Sequence, residues 1–492
     1  MARPIATVPR PICAAIEQAR VERRPVNISL PTRAVIDEKI EDAKALAGGE
    51  VPILRVDSDT AHPLGISVAQ QLAHTLEEVG SQRGVVLFTT HRTFNDCPNW
   101  IGRRDWKFYI DELFDPITSV VLRVPRSYHL LTDLLELVTP DAEFSEVRPR
   151  EGARHRLKLI RDGSDDAERV FDQVAQYLAH PERWTLHVRT ANFQLVTSGV
   201  GRSRVEGERD LARELVFWAM ARPWFDAEGL DVTMASACFT DRLLYKLWSG
   251  QGVGFEDAVD VTQHMRGGLH DGTGLKLVCM NLEHWSSYAK NGVHGSAQGQ
   301  DEPITPQRAF EALIAAEFGT EPFIYNANTT WTDEHRFPLG HRLPLVMHGK
   351  NEFAAFRKVA FMPSTLPVPD KWRFLTSLGF SDDDIRDEYY HSHAYQTVFR
   401  SAARLENREG EVTALLPGRA ACAYIQQRAP GAEIVVRDVL LPRRGVGRPA
   451  KFKDAAERRA SEACRLWLRR HPGKTAQDYS SRQQRTSARM MT

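Results

Sequence analysis

An α/β fold built on two parallel sheets is what this 492-residue sequence predicts. Three observations carry the prediction. Short apolar runs such as Val26 to Leu30, Val85 to Phe88, Leu275 to Met280 and Val412 to Leu416 read as strands buried on both faces. Stretches with helical spacing alternate with them through short connections, which selects a doubly wound parallel arrangement. The runs end in polar residues, and in such a sheet those ends gather along one edge, where open α/β sheets bind ligands.

The first half, residues 1 to 265, supplies the elements in order. Ile5 to Val8 reads as a short strand and Ile12 to Arg23 as a helix. Strand Val26 to Leu30 leads through Pro31, Thr32 and Arg33 into a helix from Val35 to Ala47. The unit repeats as strand Val51 to Val56, helix Ile66 to Val79 and strand Val85 to Phe88, and then Phe108 to Ile110 ends in Asp111 and Glu112. From Pro116 to about Gly229 the pattern predicts a mostly helical insertion, with helices around Arg126 to Val138, Ala167 to Ala179 and Glu208 to Ala221. Leu230 to Ala235 returns to strand, followed by Ser236, Ala237 and a helix from Asp241 to Trp248. Seven glycines between Gly250 and Gly274 mark a hinge.

The second half, residues 266 to 440, resumes the alternation. Strands are expected at Leu275 to Met280, Phe323 to Tyr325, Leu345 to Met347, Lys358 to Phe361 and Val412 to Leu416. Helices are expected at Pro306 to Phe318, Asp370 to Leu378, Asp382 to Arg404 and Arg419 to Arg428.

Composition narrows the class. A hydrophobic content of 42% excludes wholesale disorder, and the length calls for two cores or more. Six scattered cysteines without a CxxC pair point to neither a zinc site nor a disulfide framework. No window offers a membrane-spanning apolar run and the N-terminus lacks a secretory pattern, so a cytoplasmic protein without a membrane partner is expected. The net charge of zero conceals a tail, residues 441 to 492, with 14 Lys and Arg against 4 Asp and Glu, on a body that is correspondingly acidic. Such a tail points to a polyanionic partner.

Adjacent acids at a strand end suit nucleotide hydrolysis, where one carboxylate holds Mg²⁺ and the next polarises the attacking water. Asp111 and Glu112 are the candidates, with Asp111 as the metal residue. In order, the polar strand ends read PTR (31 to 33), SDT (58 to 60), TTH (89 to 91), IDE (110 to 112), SA (236 to 237) and HGKN (348 to 351), followed by YQTVFRSAAR (395 to 404). The ordered set resembles a superfamily 2 helicase or translocase, particularly the DEAD/DEAH-like helicases of phages and plasmids. The resemblance spans roughly residues 5 to 430 as short dispersed motifs. It implies two RecA-like domains, ATP and Mg²⁺ as cofactors, and nucleic acid, DNA above all, as partner, with other replication proteins possible in a phage or plasmid setting.

The resemblance also implies roles. Asp111 and Glu112 match the metal and water residues, and Ser236 with Ala237 match the motif that couples hydrolysis to strand movement. Gln396, Arg400 and Arg404, four apart, are expected on one helical face that reaches the phosphates. Thr32, Arg33, Thr90, His91, His348 and Asn351 match motifs lining the nucleic-acid path, where contacts grip phosphate and sugar.

One part of the pattern is missing. Between the first strand and first helix such proteins carry GxxxxGK[ST], whose backbone N–H groups and lysine hold phosphates. This chain has ATVPRPICAA there, without glycine or lysine, and Pro9 and Pro11 remove two donors. The phosphate loop is degenerate, so ATP hydrolysis is expected to be impaired or absent. The alternative is a non-catalytic DNA-binding or replication accessory protein derived from a helicase. In the tail, Gly447, Arg448 and Pro449, with Lys451 after them, form a core like that of an AT-hook, for which a nucleic-acid contact is expected.

Overall fold

The computed structural model describes residues 10–60, 66–79, 84–97, 100, 103–123, 128–162, 168–198, 214–262, 271–292, 305–345, 353–405 and 410–439. Contacts divide the chain into a large unit, Met1–Lys290 with Phe310–Val439, and a small one, Asn291–Ala309 with Leu440–Thr492. Both parallel sheets and the insertion belong to the large unit.

The first lobe opens with a helix, Arg10–Glu17, that continues as a π turn, Gln18–Glu22. Its strands are β1 (Val26–Leu30), β2 (Ile53–Val56), β3 (Val86–Thr90) and β4 (Lys107–Asp111). All five residues of β1 are buried, as a central parallel strand requires. The helix after it, Arg33–Ala47, starts where the Thr32 hydroxyl accepts from the Val35 N–H. It stops where Gly48, at φ 58°, donates its N–H to the Lys44 carbonyl. Gly84 precedes β3 at φ 81°, and a Cβ there would lie 2.5 Å from the Ala19 carbonyl oxygen, so only glycine lets β3 pass under the first helix.

The insertion follows β4. It contains β5 (Ile117–Arg123), β6 (Leu135–Leu137), β7 (Phe144–Pro149), β8 (Trp184–Arg189) and β9 (Glu214–Ala221), paired antiparallel in the order β5-β9-β8-β7-β6. Helices Arg154–Asp162, Asp172–Ala179 and Thr190–Thr197 accompany the sheet. The expectation of a mostly helical insertion is therefore corrected. The segment assigned to a helix at Glu208 to Ala221 supplies β9, in which Leu215, Phe217 and Ala219 enter the core that contains the helices, while Trp218 and Met220 enter the core on the other face. A strand covered on both faces is apolar throughout, and periodicity alone does not separate it from a buried helix. Of the helix expected at Arg126 to Val138, only His129–Thr132 is helical among the described residues, and β6 takes its end.

Strand β10 (Asp231–Ala235) then completes the first sheet, parallel throughout in the order β10-β4-β1-β3-β2. Val26, Ile28, Val86, Phe88 and Tyr109 face one core, with Ile12, Ile16 and Ile36. Leu87, Phe108 and Ile110 face the other, with Leu72, Phe94 and Trp248. A sheet covered on both sides is the expected doubly wound layer.

The second lobe has six strands: β11 (Leu275–Met280), β12 (Phe323–Asn326), β13 (Gly340–Leu343), β14 (Lys358–Phe361), β15 (Val412–Leu416) and β16 (Glu433–Arg437). They pair in parallel in the order β13-β12-β14-β15-β11-β16. β13 was not expected, because His341 and Arg342 sit on an edge and break the apolar pattern; of the strand expected at Leu345 to Met347, residues 346 and 347 lie outside the described residues. The single helix expected from Asp382 to Arg404 is broken into helix Asp382–Arg386, π turn Asp387–His391, helix Ser392–Val398 and 3-10 turn Ala402–Arg404. Ser401 makes the final break: its hydroxyl donates to the Val398 carbonyl at 2.6 Å and accepts from the Ala403 N–H at 3.2 Å. Among the described residues, no helix is long and apolar enough to cross a membrane.

Candidate nucleotide site

The site forms where β4 and β10 end side by side. Their register pairs Ala235 with Asp111, so residues 124 apart in sequence, Glu112 and Ser236, become neighbours. Glu112 turns out of the strand at φ 67°, a left-handed conformation that a side chain with a Cβ rarely adopts. Its N–H donates to the Ala235 carbonyl at 2.7 Å, and its Oε2 accepts from the Ser236 hydroxyl at 3.3 Å. The Ser236 hydroxyl also lies 3.4 Å from the Ala237 carbonyl oxygen.

The second lobe closes over these groups. Gln396, on helix Ser392–Val398, donates through Nε2 to the same Glu112 Oε2 at 3.3 Å. Arg400 lies two residues beyond that helix. Burial lowers its pKa, and the charges of Glu112, Asp111 and Glu38 act in the opposite direction. Asp111 is half-buried by surface area yet densely enclosed by protein. Burial, then the Glu112 charge, push its carboxyl up to about 7, against the pull of Lys39 and Arg400. Gln396 of one lobe therefore bonds Glu112 of the other, and the charges of Arg400 and the two acids act on one another.

Arg404 differs from the expectation. The helix ends at Val398, so the one-face geometry deduced from fourfold spacing extends no further, and Arg404 belongs to the turn Ala402–Arg404.

The remaining sequence candidates have identifiable surroundings. Thr32 caps a helix, as above, and Arg33 pairs with Asp59. The Thr90 hydroxyl accepts from the Thr93 N–H at 3.1 Å and caps helix His91–Asp96. His91 is buried, with Nδ1 2.8 Å from the Ser29 hydroxyl. These bonds give each of the four a local structural task. His348, Asn351, Arg448 and Lys451 lie outside the described residues.

Some residues of the site escaped the sequence reading. Lys39 is 1% exposed, on the stripe Val35, Ile36, Lys39, Ala43 of its helix, and pairs with Glu38 at 2.9 Å and Asp42 at 3.5 Å. A lysine at a core-facing position was the available signal. The lobes are also joined by polar contacts. Arg242 pairs with Glu388 at 2.6 Å, the Leu243 N–H donates to Glu388 at 2.8 Å, and Lys246 pairs with Asp384. Asp115, at the root of the insertion, accepts from Lys371 at 2.6 Å and from the Tyr389 hydroxyl at 3.0 Å. Phe374 stacks on Trp218 with centroids 5.7 Å apart. Beside Gln396, a cleft of about 380 Å³ is lined by Cys238, Thr240, Asp241, Tyr395, Gln427 and Arg428.

A nucleotide with its cation meets a divided fit here. An enclosed carboxyl whose charge is disfavoured without a cation suits Mg²⁺ at Asp111. The described residues that open the first helix, Arg10 and Pro11, are not a glycine-rich cradle of N–H donors.

No family model matches the chain, and no curated protein matches it. Among solved structures it is similar to S. tokodaii Xpd4, at 10% identity over 86% of this chain and 92% of that one, with a TM-score of 0.36. It is also similar to S. cerevisiae Dbp5 bound to RNA and ADP BeF3, at 10% identity over 89% of this chain and 80% of that one, with a TM-score of 0.31.

Proposed function

We propose that this chain is a superfamily 2-type helicase or translocase that acts on nucleic acid, with ATP and Mg²⁺ as its cofactors. The observation that carries the reading is the meeting of Asp111 and Glu112 with Gln396 and Arg400 from the other lobe. Asp111 would hold the cation, which supplies charge neutralisation on the phosphates. Glu112 orients the attacking water, and the bonds from Ser236 and Gln396 to one of its oxygens fix the carboxylate so that the other oxygen is available to that water. Arg400 stabilises charge developing on the transferred phosphoryl group, and Arg404 belongs to the same proposal as a second cation. Thr32, Arg33, Thr90, His91, His348 and Asn351 would line the nucleic-acid path, and Arg448 with Lys451 would add a tail contact. The division into lobes at 1–265 and 266–440 with a tail at 441–492, a DNA substrate in phage or plasmid replication, and a cytoplasmic location form part of the same reading.

A test is phosphate release from ATP with and without single-stranded DNA. Stimulated release that Glu112→Gln abolishes supports the proposal, and absence of both ATP binding and turnover eliminates it. A second reading, a non-catalytic DNA-binding protein, is favoured by the missing glycines and lysine at residues 6 to 15. In that case DNA binding survives Glu112→Gln and fails on deletion of residues 441 to 492.

A further inference from the structure

The insertion carries a basic surface that the nucleotide site does not use. Helix Arg154–Asp162, RHRLKLIRD, turns Leu157 and Ile160 into the insertion core. Leu159 is exposed, and the remaining positions are basic except for Asp162 at the end. Arg154, His155, Arg156 and Lys158 are exposed on a body whose net charge, outside the tail, is acidic. Some of this charge is spent locally: Arg156 pairs with Glu168, and Arg161 with Asp162 at 2.9 Å. Arg154 and Lys158 have no such partner among the described residues. The acids beside them are Glu151 and Asp162; of the arginines that precede the helix, Arg148 pairs with Glu146 at 2.7 Å and Arg150 donates to the Leu135 carbonyl at 2.9 Å. The helix packs in the core on one face of the insertion sheet, while Phe374 of the second lobe packs in the core of the other, so the cationic face turns away from that lobe.

We propose that this helix is a nucleic-acid contact, gripping the phosphate backbone without reading sequence, in addition to any contact made by the lobes or the tail. Arg154 and Lys158 are one helical turn apart, about 6 Å along the axis. That is close to two steps of a strand carrying one phosphate per about 3.4 Å. Both are long, flexible cations, and no Phe, Tyr or Trp stands among the exposed residues of the helix, which suits phosphates more than stacked bases. The inference deepens the nucleic-acid reading but does not depend on hydrolysis, because the helix lies outside the acid site.

The experiment measures binding of the full-length chain to labelled 30-nucleotide single-stranded DNA, the same RNA and a duplex, by anisotropy across a salt series, for the parent and for Arg154→Ala with Lys158→Ala. The variant is expected to bind at least tenfold more weakly at low salt. Its salt slope is expected to fall by about 1.4 to 1.8, the contribution of two phosphate contacts. Both substitutions are at exposed sites, and an unchanged thermal midpoint shows that the fold is kept. Glu112→Gln is measured in parallel and should leave this slope intact, so a failure of hydrolysis and a failure of this surface register separately. An unchanged affinity and slope in the double variant overturns the proposal. So does a parent chain that binds none of the three nucleic acids, in which case the basic face serves an acidic protein or a membrane.

Discussion

Arg242→Met offers a sharp test of how the lobes are held. Glu388 is 4% exposed; burial raises its pKa, and the Arg242 guanidinium and the Leu243 N–H oppose that rise without cancelling it. With the guanidinium gone, the carboxyl loses the first of the charges that oppose the effect of burial, and its pKa rises further. The unfolded chain releases that proton near pH 4.3, so the variant loses stability as pH rises above that point, at up to roughly 1.4 kcal/mol per pH unit. Removing one partner of a buried ion pair costs about 3 to 5 kcal/mol. The sign follows from the raised folded value: the stabilisation is complete below the unfolded pKa and is lost as pH rises. Urea unfolding followed by tryptophan fluorescence, with Trp218 and Trp248 as buried reporters, should show a small deficit at pH 5 and the full one at pH 7. Adding Glu388→Met should recover most of the loss, since an apolar pair of similar volume needs no proton. A deficit below about 1 kcal/mol at pH 7, or one that is equal at pH 5 and pH 7, refutes the reasoning.

Two further outcomes are expected. Asp111 has its folded pKa raised to about 7, so its stabilising acid form is complete below about pH 3.9 and lost as pH passes 7. Asp111→Asn should therefore stabilise the chain by about 1 to 4 kcal/mol at pH 8 and leave it nearly unchanged at pH 4, and millimolar Mg²⁺ should raise the thermal midpoint of the parent but not of the variant. Equal stability of the two chains at pH 8 would contradict this. Phe374 is 0% exposed between the insertion and the second lobe, where it meets Phe144, His187 and Trp218. Phe374→Ala should cost about 3 to 5 kcal/mol in chemical unfolding, and a cost under 1 would mean that the two bodies do not rely on this contact.

The parallel sheets were legible because their strands are short apolar runs closed by polar residues, and strands β1, β11, β14 and β15 begin and end where the residue pattern puts them. The insertion was misread for a physical reason. In ELVFWAMA both faces of the strand are covered, so the alternation that distinguishes sheet from helix is visible only once Leu215 and Trp218 are seen to enter different cores. Strand β16 went unrecognised because its burial is partial and its ends are charged. At the site, Asp111, Glu112, Ser236 and Gln396 were singled out by their order along the chain, and the structure brings Ser236 and Gln396 to the Glu112 carboxylate. The helix break before Arg404 could not be read from that order, because it depends on the local bonds of one serine. The pair Arg242 and Glu388 was equally hidden, since a buried ion pair between distant segments leaves no periodic trace.

The conformation of Glu112 ties these observations together. A left-handed backbone at a residue with a Cβ costs on the order of 1 to 3 kcal/mol, and glycine would remove that cost. The strain persists because the Ala235 carbonyl takes the Glu112 N–H, while Ser236 and Gln396 both hold its carboxylate. Glycine would relieve the backbone and delete the group that the second lobe grips. Of these partners, two belong to the sheet that carries Glu112 and one to the other lobe, so the sheet alone aims the acid and the second lobe completes its anchorage. Separating the lobes by even a few ångströms would release Gln396 and withdraw Arg400 together. The orientation of the Glu112 carboxylate therefore depends on how the two lobes are set against each other.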